Sequence, residues 1–137
     1  MRCDQLFLGL VVLQICHSCE EFAFRLYDVF PPARFVSELV SADRAKGFLT
    51  ANAILITVML SCYFGPVRNR WRSAGLFMWP WVMIELTNGI VHPAWSVYMG
   101  GYTPGTVTAV PLFIVAVLLF RCLLAASRLD GPSSRES

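Results

Sequence analysis

A chain of 137 residues that is 56% hydrophobic and only 15% charged, with a mean hydropathy of +0.59, is too apolar for an ordinary soluble domain. Four spans of roughly 20 residues, with their connections, use nearly all of it and leave no room for a second domain. A net charge of +2, with no basic run interleaved with aromatics, excludes a nucleic-acid-binding surface.

In chain order, the apolar stretches fall at 5–24, 48–65, 73–91 and 105–126, each near the length that crosses a ~30 Å hydrocarbon layer. Arg2 followed by the apolar run 6–13 has the outline of a secretory signal. No small-x-small cleavage site follows, however, and the helical pattern continues through Phe24, so the segment reads as a retained first span. Pro31 and Pro32 close that helix, and 35–40 is expected to form a short interfacial amphipathic turn. The connection 66–72 carries Arg68, Arg70 and Arg72 with no acid, whereas 93–104 carries no charge. With both termini inside, Arg2, Arg68, Arg70, Arg72, Arg121, Arg128 and Arg135 lie on the inner side, seven against the four of Arg25, Arg34, Arg44 and Lys46. The expected fold is therefore all-α: an integral, multi-pass membrane bundle of four transmembrane helices with both termini cytoplasmic. It forms one domain over 1–128, followed by a disordered polar tail over 129–137. Cys3, Cys16, Cys19, Cys62 and Cys122 are odd in number and mostly lie in apolar stretches, which argues against a disulfide framework.

The costly residues within the spans form two groups: His17, Glu20 and Glu21 in the first helix, and Glu85, Asn88 and His92 in the third. At ~100° per residue the first group covers an arc of roughly 100° and the second roughly 60°, so each is one stripe. The first and third helices of a four-span chain run parallel, and both stripes sit in C-terminal halves. They can meet at one depth. Three carboxylates in hydrocarbon cost on the order of 9 kcal/mol together, so something must offset them: mutual hydrogen bonding, Arg25 four residues after Glu21, a water-filled cavity, or a divalent cation. His17, Glu20, Glu21, Glu85 and His92 make a ligand set suited to a divalent metal such as Zn, Fe or Mn. Asn88, Tyr102 and Thr106 are candidate binding residues that would hydrogen-bond a ligand or water at the same end.

Blander readings exist for each feature. Glu20 and Glu21 near a helix end can reach the interface, and His92 beside Pro93 is a common setting for a merely satisfied histidine. Cys16-x-x-Cys19 points away from His17 on the wheel and is a weak redox signal. In 100–105, Thr103 reads as an N-cap and Pro104 as the first residue of the fourth helix. Trp79, Trp81 and Trp95 read as belt or packing residues.

His17-Ser18-Cys19-Glu20-Glu21, followed by Glu85-x-x-Asn88-x-x-x-His92 and Tyr102-x-Pro104-Gly105, resembles the HXXEE domain family of integral membrane proteins. The resemblance runs from the first helix into the fourth. It implies a multi-span domain whose His and Glu residues bind metal or act in catalysis, and it supplies no substrate. The leading expectation is a membrane-embedded, metal-dependent enzyme acting on a lipophilic substrate that enters between helices, with Glu20, Glu21 and Glu85 as catalytic candidates. The alternatives are a metal-free His/Glu acid–base isomerase or cyclase, a non-catalytic ion or small-molecule transport or binding module, and a purely structural polar cluster.

Overall fold

The computed structural model describes residues 2–129. Among them the regular structure is helical throughout: α1 (Cys3–Ala23), α2 (Leu26–Val29), α3 (Pro31–Val40), α4 (Arg44–Cys62) continued by a π turn (Tyr63–Val67), α5 (Ala74–Met99) and α6 (Thr106–Leu129). Of the polar tail expected from 129 onward, Leu129 closes α6 and the rest lies outside the described residues.

Helix ends follow local chemistry. The chain leaves α1 through Arg25 at φ 58, a left-handed conformation that ends an α-helix. Phe30 is extended ahead of Pro31, as is favoured before proline, and the two prolines open α3 rather than merely closing α1. Asp43 caps α4 by accepting from the Lys46 amide at 3.2 Å. That amide holds the Asp43 carboxyl below the usual carboxylate range. Gly100, at φ 72, ends α5.

The buried residues of each long helix fall on one stripe. On α6 they are Ala109, Leu112, Ala116, Leu119 and Leu123, spaced three and four apart. On α1 the stripe begins with Phe7 and Leu10 and turns polar at Gln14, His17 and Glu21. On α5 it begins with Met78 and Val82 and turns polar at Glu85 and His92. The apolar halves make one core with Met59 and Val67, which leaves both polar halves facing each other at the other end of the bundle. Close approach of α5 to α6 depends on Gly89, because a Cβ there would overlap the Phe113 side chain. Likewise a Cβ on Gly47 would overlap the Ser37 carbonyl, so α3 lies directly on the start of α4. On the other face of α3, Phe35, Val36, Leu39 and Val40 are exposed, as in a helix lying at a lipid interface.

Among the described residues, three helices are long and apolar enough to cross a membrane: α1, α4 with its π turn, and α6. The third expected stretch, 73–91, forms a longer helix that passes through Pro93 to Met99. Proline there removes only the hydrogen bond to the Gly89 carbonyl, and the chain needs no further break. At ~1.5 Å per residue α5 is ~39 Å long. It is not among those three, and it carries Glu85, Asn88, His92 and two prolines. The cysteines require a correction: Cys3 and Cys122 form a disulfide that joins the start of α1 to α6 at the end of the bundle away from His17, while Cys16 and Cys19 are free and exposed.

Candidate metal centre

One turn separates His17 from Glu21 on α1, and α5 brings His92 against both. His17 Nε2 lies 3.3 Å and His92 Nε2 3.1 Å from the same oxygen, Glu21 Oε1. The imidazoles meet edge to face with centroids 4.7 Å apart. All three residues are buried, and their ligand-type atoms lie within 4.8 Å of one another.

The outer nitrogens have their own partners. His92 Nδ1 lies 3.0 Å from the Pro104 carbonyl oxygen and His17 Nδ1 2.8 Å from Thr108 Oγ1. His17 Nε2 is buried and lacks a hydrogen-bond partner, since its approach to Glu21 is misaligned. Gly105 seals this face. At φ 89 its backbone passes so near the rings that a Cβ would sit 2.6 Å from His92 Cε1, 2.7 Å from His92 Nδ1 and 3.0 Å from His17 Cε1. Phe30 packs on the other side of His92, at 6.1 Å between centroids.

The remaining expected site residues are placed elsewhere. Glu20 faces the N-terminus of α6, where Oε1 accepts from the Tyr102 hydroxyl at 2.7 Å and from the amides of Gly105 and Val107 at 3.2 and 3.3 Å. Oε2 accepts from the Thr108 amide at 2.9 Å and from the Thr108 hydroxyl. A carboxylate at a helix N-terminus, where amides are free and the dipole is positive, is a favourable pairing. It displaces the expected cap: α6 begins at Thr106 rather than Pro104, and Thr103 and Thr106 hydrogen-bond Ser96 instead, at 2.7 and 2.6 Å. Burial and the bond to Glu20 push the Tyr102 phenol up to about 12, so it stays a donor across physiological pH.

Glu85 lies deeper, fully buried. It accepts from Asn88 Nδ2 at 3.0 Å. With its carboxamide nitrogen toward Glu85, Gln14 donates to both carboxylate oxygens at 3.0 Å, and its carbonyl oxygen accepts from Ser18 Oγ at 3.2 Å. The same Ser18 hydroxyl faces Asn52 Oδ1 of α4 at 2.8 Å, so its one proton is shared between the two acceptors. The group of three thus includes His17, Glu21 and His92, and neither Glu20 nor Glu85. Arg25 pairs with Asp28 at 2.8 Å rather than with Glu21, because the left-handed turn at Arg25 carries it off the face of α1.

Gln14, Thr108 and Gly105 also belong to the site, and of the three only Gly105 falls in the sequence motif. Gln14 carried a signal, a polar residue three before His17 inside an apolar run. Thr108 carried none, because its role depends on where α6 docks.

These features describe an all-helical bundle with a buried His/Glu cluster between two of its long helices. The family model described as "protein of unknown function with HXXEE motif" matches residues 8–120, and the chain belongs to that family. No curated protein and no solved structure matches it.

Proposed function

We propose that His17 Nε2, His92 Nε2 and Glu21 Oε1 bind one divalent metal ion inside the bilayer. The observation carrying this reading is that two imidazole nitrogens from different helices converge on one buried carboxylate oxygen. A carbonyl can only accept, so Pro104 holds a proton on His92 Nδ1, and in the neutral imidazole Nε2 is then a lone pair facing Glu21 Oε1. A cation relieves that repulsion. The separations of 3.1 and 3.3 Å match the ~3.3 Å edge of a tetrahedron built on metal–ligand bonds of about 2.0–2.1 Å. Two His and one carboxylate with open positions is the set used by catalytic zinc and by non-haem iron, and manganese also accepts it. Such an ion supplies Lewis acidity and a water activated near neutral pH.

The chemistry proposed is metal-dependent turnover of a lipophilic substrate. A cavity of about 200 Å³ between α1 and α4, lined by Ile15, Cys19, Phe22, Phe48 and Leu49, reaches Ser18 and Asn52. It is the place where an apolar substrate would lodge beside the polar network, next to the helix of His17 and Glu21 but not on the ligands themselves. Glu85, held by Gln14 and Asn88, is the free carboxylate for proton exchange. In this reading α5 is the fourth crossing. The arginine-rich end faces the cytoplasm with both termini, and the domain spans 1–128. The Cys3–Cys122 disulfide lies at that same end, and a cytoplasmic compartment keeps thiols reduced, so maleimide labelling in acid-quenched cells tests the orientation: thiols that label are expected if that end is cytoplasmic. A bridge that persists there would invert the orientation.

Elemental analysis of detergent-purified protein tests the reading. Close to one metal per chain is expected, lost in His17→Ala and His92→Ala but kept in Glu85→Gln. Metal-free wild type, folded and insensitive to chelator, would instead favour acid–base chemistry or a structural cluster.

A further inference from the structure

Glu20 is the first glutamate of a Glu-Glu pair, and it is not among the three converging residues. Its two oxygens nevertheless take five donors, three on Oε1 and two on Oε2. Every acceptor direction is occupied, so no proton can sit on the carboxylate without displacing a donor. The Thr108 hydroxyl must then give its single proton to Glu20. Its oxygen can only accept from the other side, and the group on that side is His17 Nδ1 at 2.8 Å. Rotation of the hydroxyl offers little escape, since the next acceptor, the Gly105 carbonyl, is 3.5 Å away.

We infer that Glu20 and Thr108 form a relay that holds His17 in the tautomer with its proton on Nδ1, so that Nε2 presents a lone pair to the site. Both are positioning residues. The inference rests on the metal reading for its purpose, but the tautomer follows from the hydrogen bonds alone. His92 is fixed the same way by a backbone carbonyl, which cannot be mutated or rotated. His17 instead depends on a side chain reached through α6, so docking of α6 onto Glu20 and readiness of His17 are one event. An outer hydrogen bond that sets a ligating imidazole's tautomer is usually worth 10–100-fold in metal affinity.

The test uses full-length protein in detergent with ¹⁵N-labelled histidine. In metal-free wild type, imidazole nitrogen shifts should show His17 protonated on Nδ1. In Thr108→Val, which keeps the backbone amide bond to Glu20, the Nε2-protonated form should appear. In Thr108→Ser the wild-type tautomer should return. With added Zn²⁺, Thr108→Val should bind 10–100-fold more weakly than wild type and Thr108→Ser within about threefold. His17 protonated on Nε2 in the wild type, or a tautomer unchanged in Thr108→Val, would overturn the relay whatever the metal content. Wild type that binds no Zn²⁺ but shows the expected tautomer would overturn the metal reading and leave the relay standing.

Discussion

Glu21→Gln is expected to abolish metal retention, while Glu85→Gln leaves it nearly unchanged. Glu21 Oε1 is the single atom facing both imidazole nitrogens, so the substitution removes the only anionic ligand of the buried group. Breaking a buried charge pairing by removing one partner costs about 3–5 kcal/mol, a loss of more than a hundredfold in affinity. Glu85 has its own amide partners, Asn88 and Gln14, deeper in the bundle. Isothermal titration of metal-stripped protein with Zn²⁺ reads the difference. Equal losses in the two variants would mean that the carboxylates act as one diffuse field rather than as a site.

Gly105→Ala should disable the centre without touching a ligand. The position demands glycine twice over: φ 89 is unfavourable for any side chain, and a Cβ would press on both imidazoles at 2.6–3.0 Å. Strain of about 1–3 kcal/mol from the backbone and a comparable overpacking cost should lower stability by roughly 2–6 kcal/mol and displace His92 from Pro104. Gly101→Ala is the control, because nothing lies within 4 Å of its Cβ and its φ is ordinary. Its effect should stay within about 0.5 kcal/mol. Unfolding in graded denaturing detergent, followed with metal content, compares the pair. A Gly105→Ala protein as stable and metal-replete as Gly101→Ala would show that the turn does not press on the histidines.

Helical spacing made much of this visible in advance. His17, Glu21 and His92 lie on stripes that repeat every three to four residues, and parallel helices put them at one depth, so their meeting followed from periodicity. Spacing could not separate Glu20 from Glu21. Adjacent residues differ by ~100°, both fit the same polar arc, and what divides them is the N-terminus of α6, which takes Glu20. The end of α5 was illegible for a different reason. Proline disfavours a helical residue before it, yet here the helix continues through His92 and Pro93 because packing outweighs one lost hydrogen bond. Cys3 and Cys122 are 119 residues apart, and only the antiparallel packing of α1 on α6 brings them together.

X-ray absorption at the metal edge, on protein purified without added metal, addresses the central claim most directly. Two imidazole nitrogens and carboxylate oxygen at about 2.0–2.2 Å are expected, with one imidazole lost in His92→Ala. A shell containing sulfur or no imidazole, or a purified protein with no stoichiometric metal to measure, would contradict it.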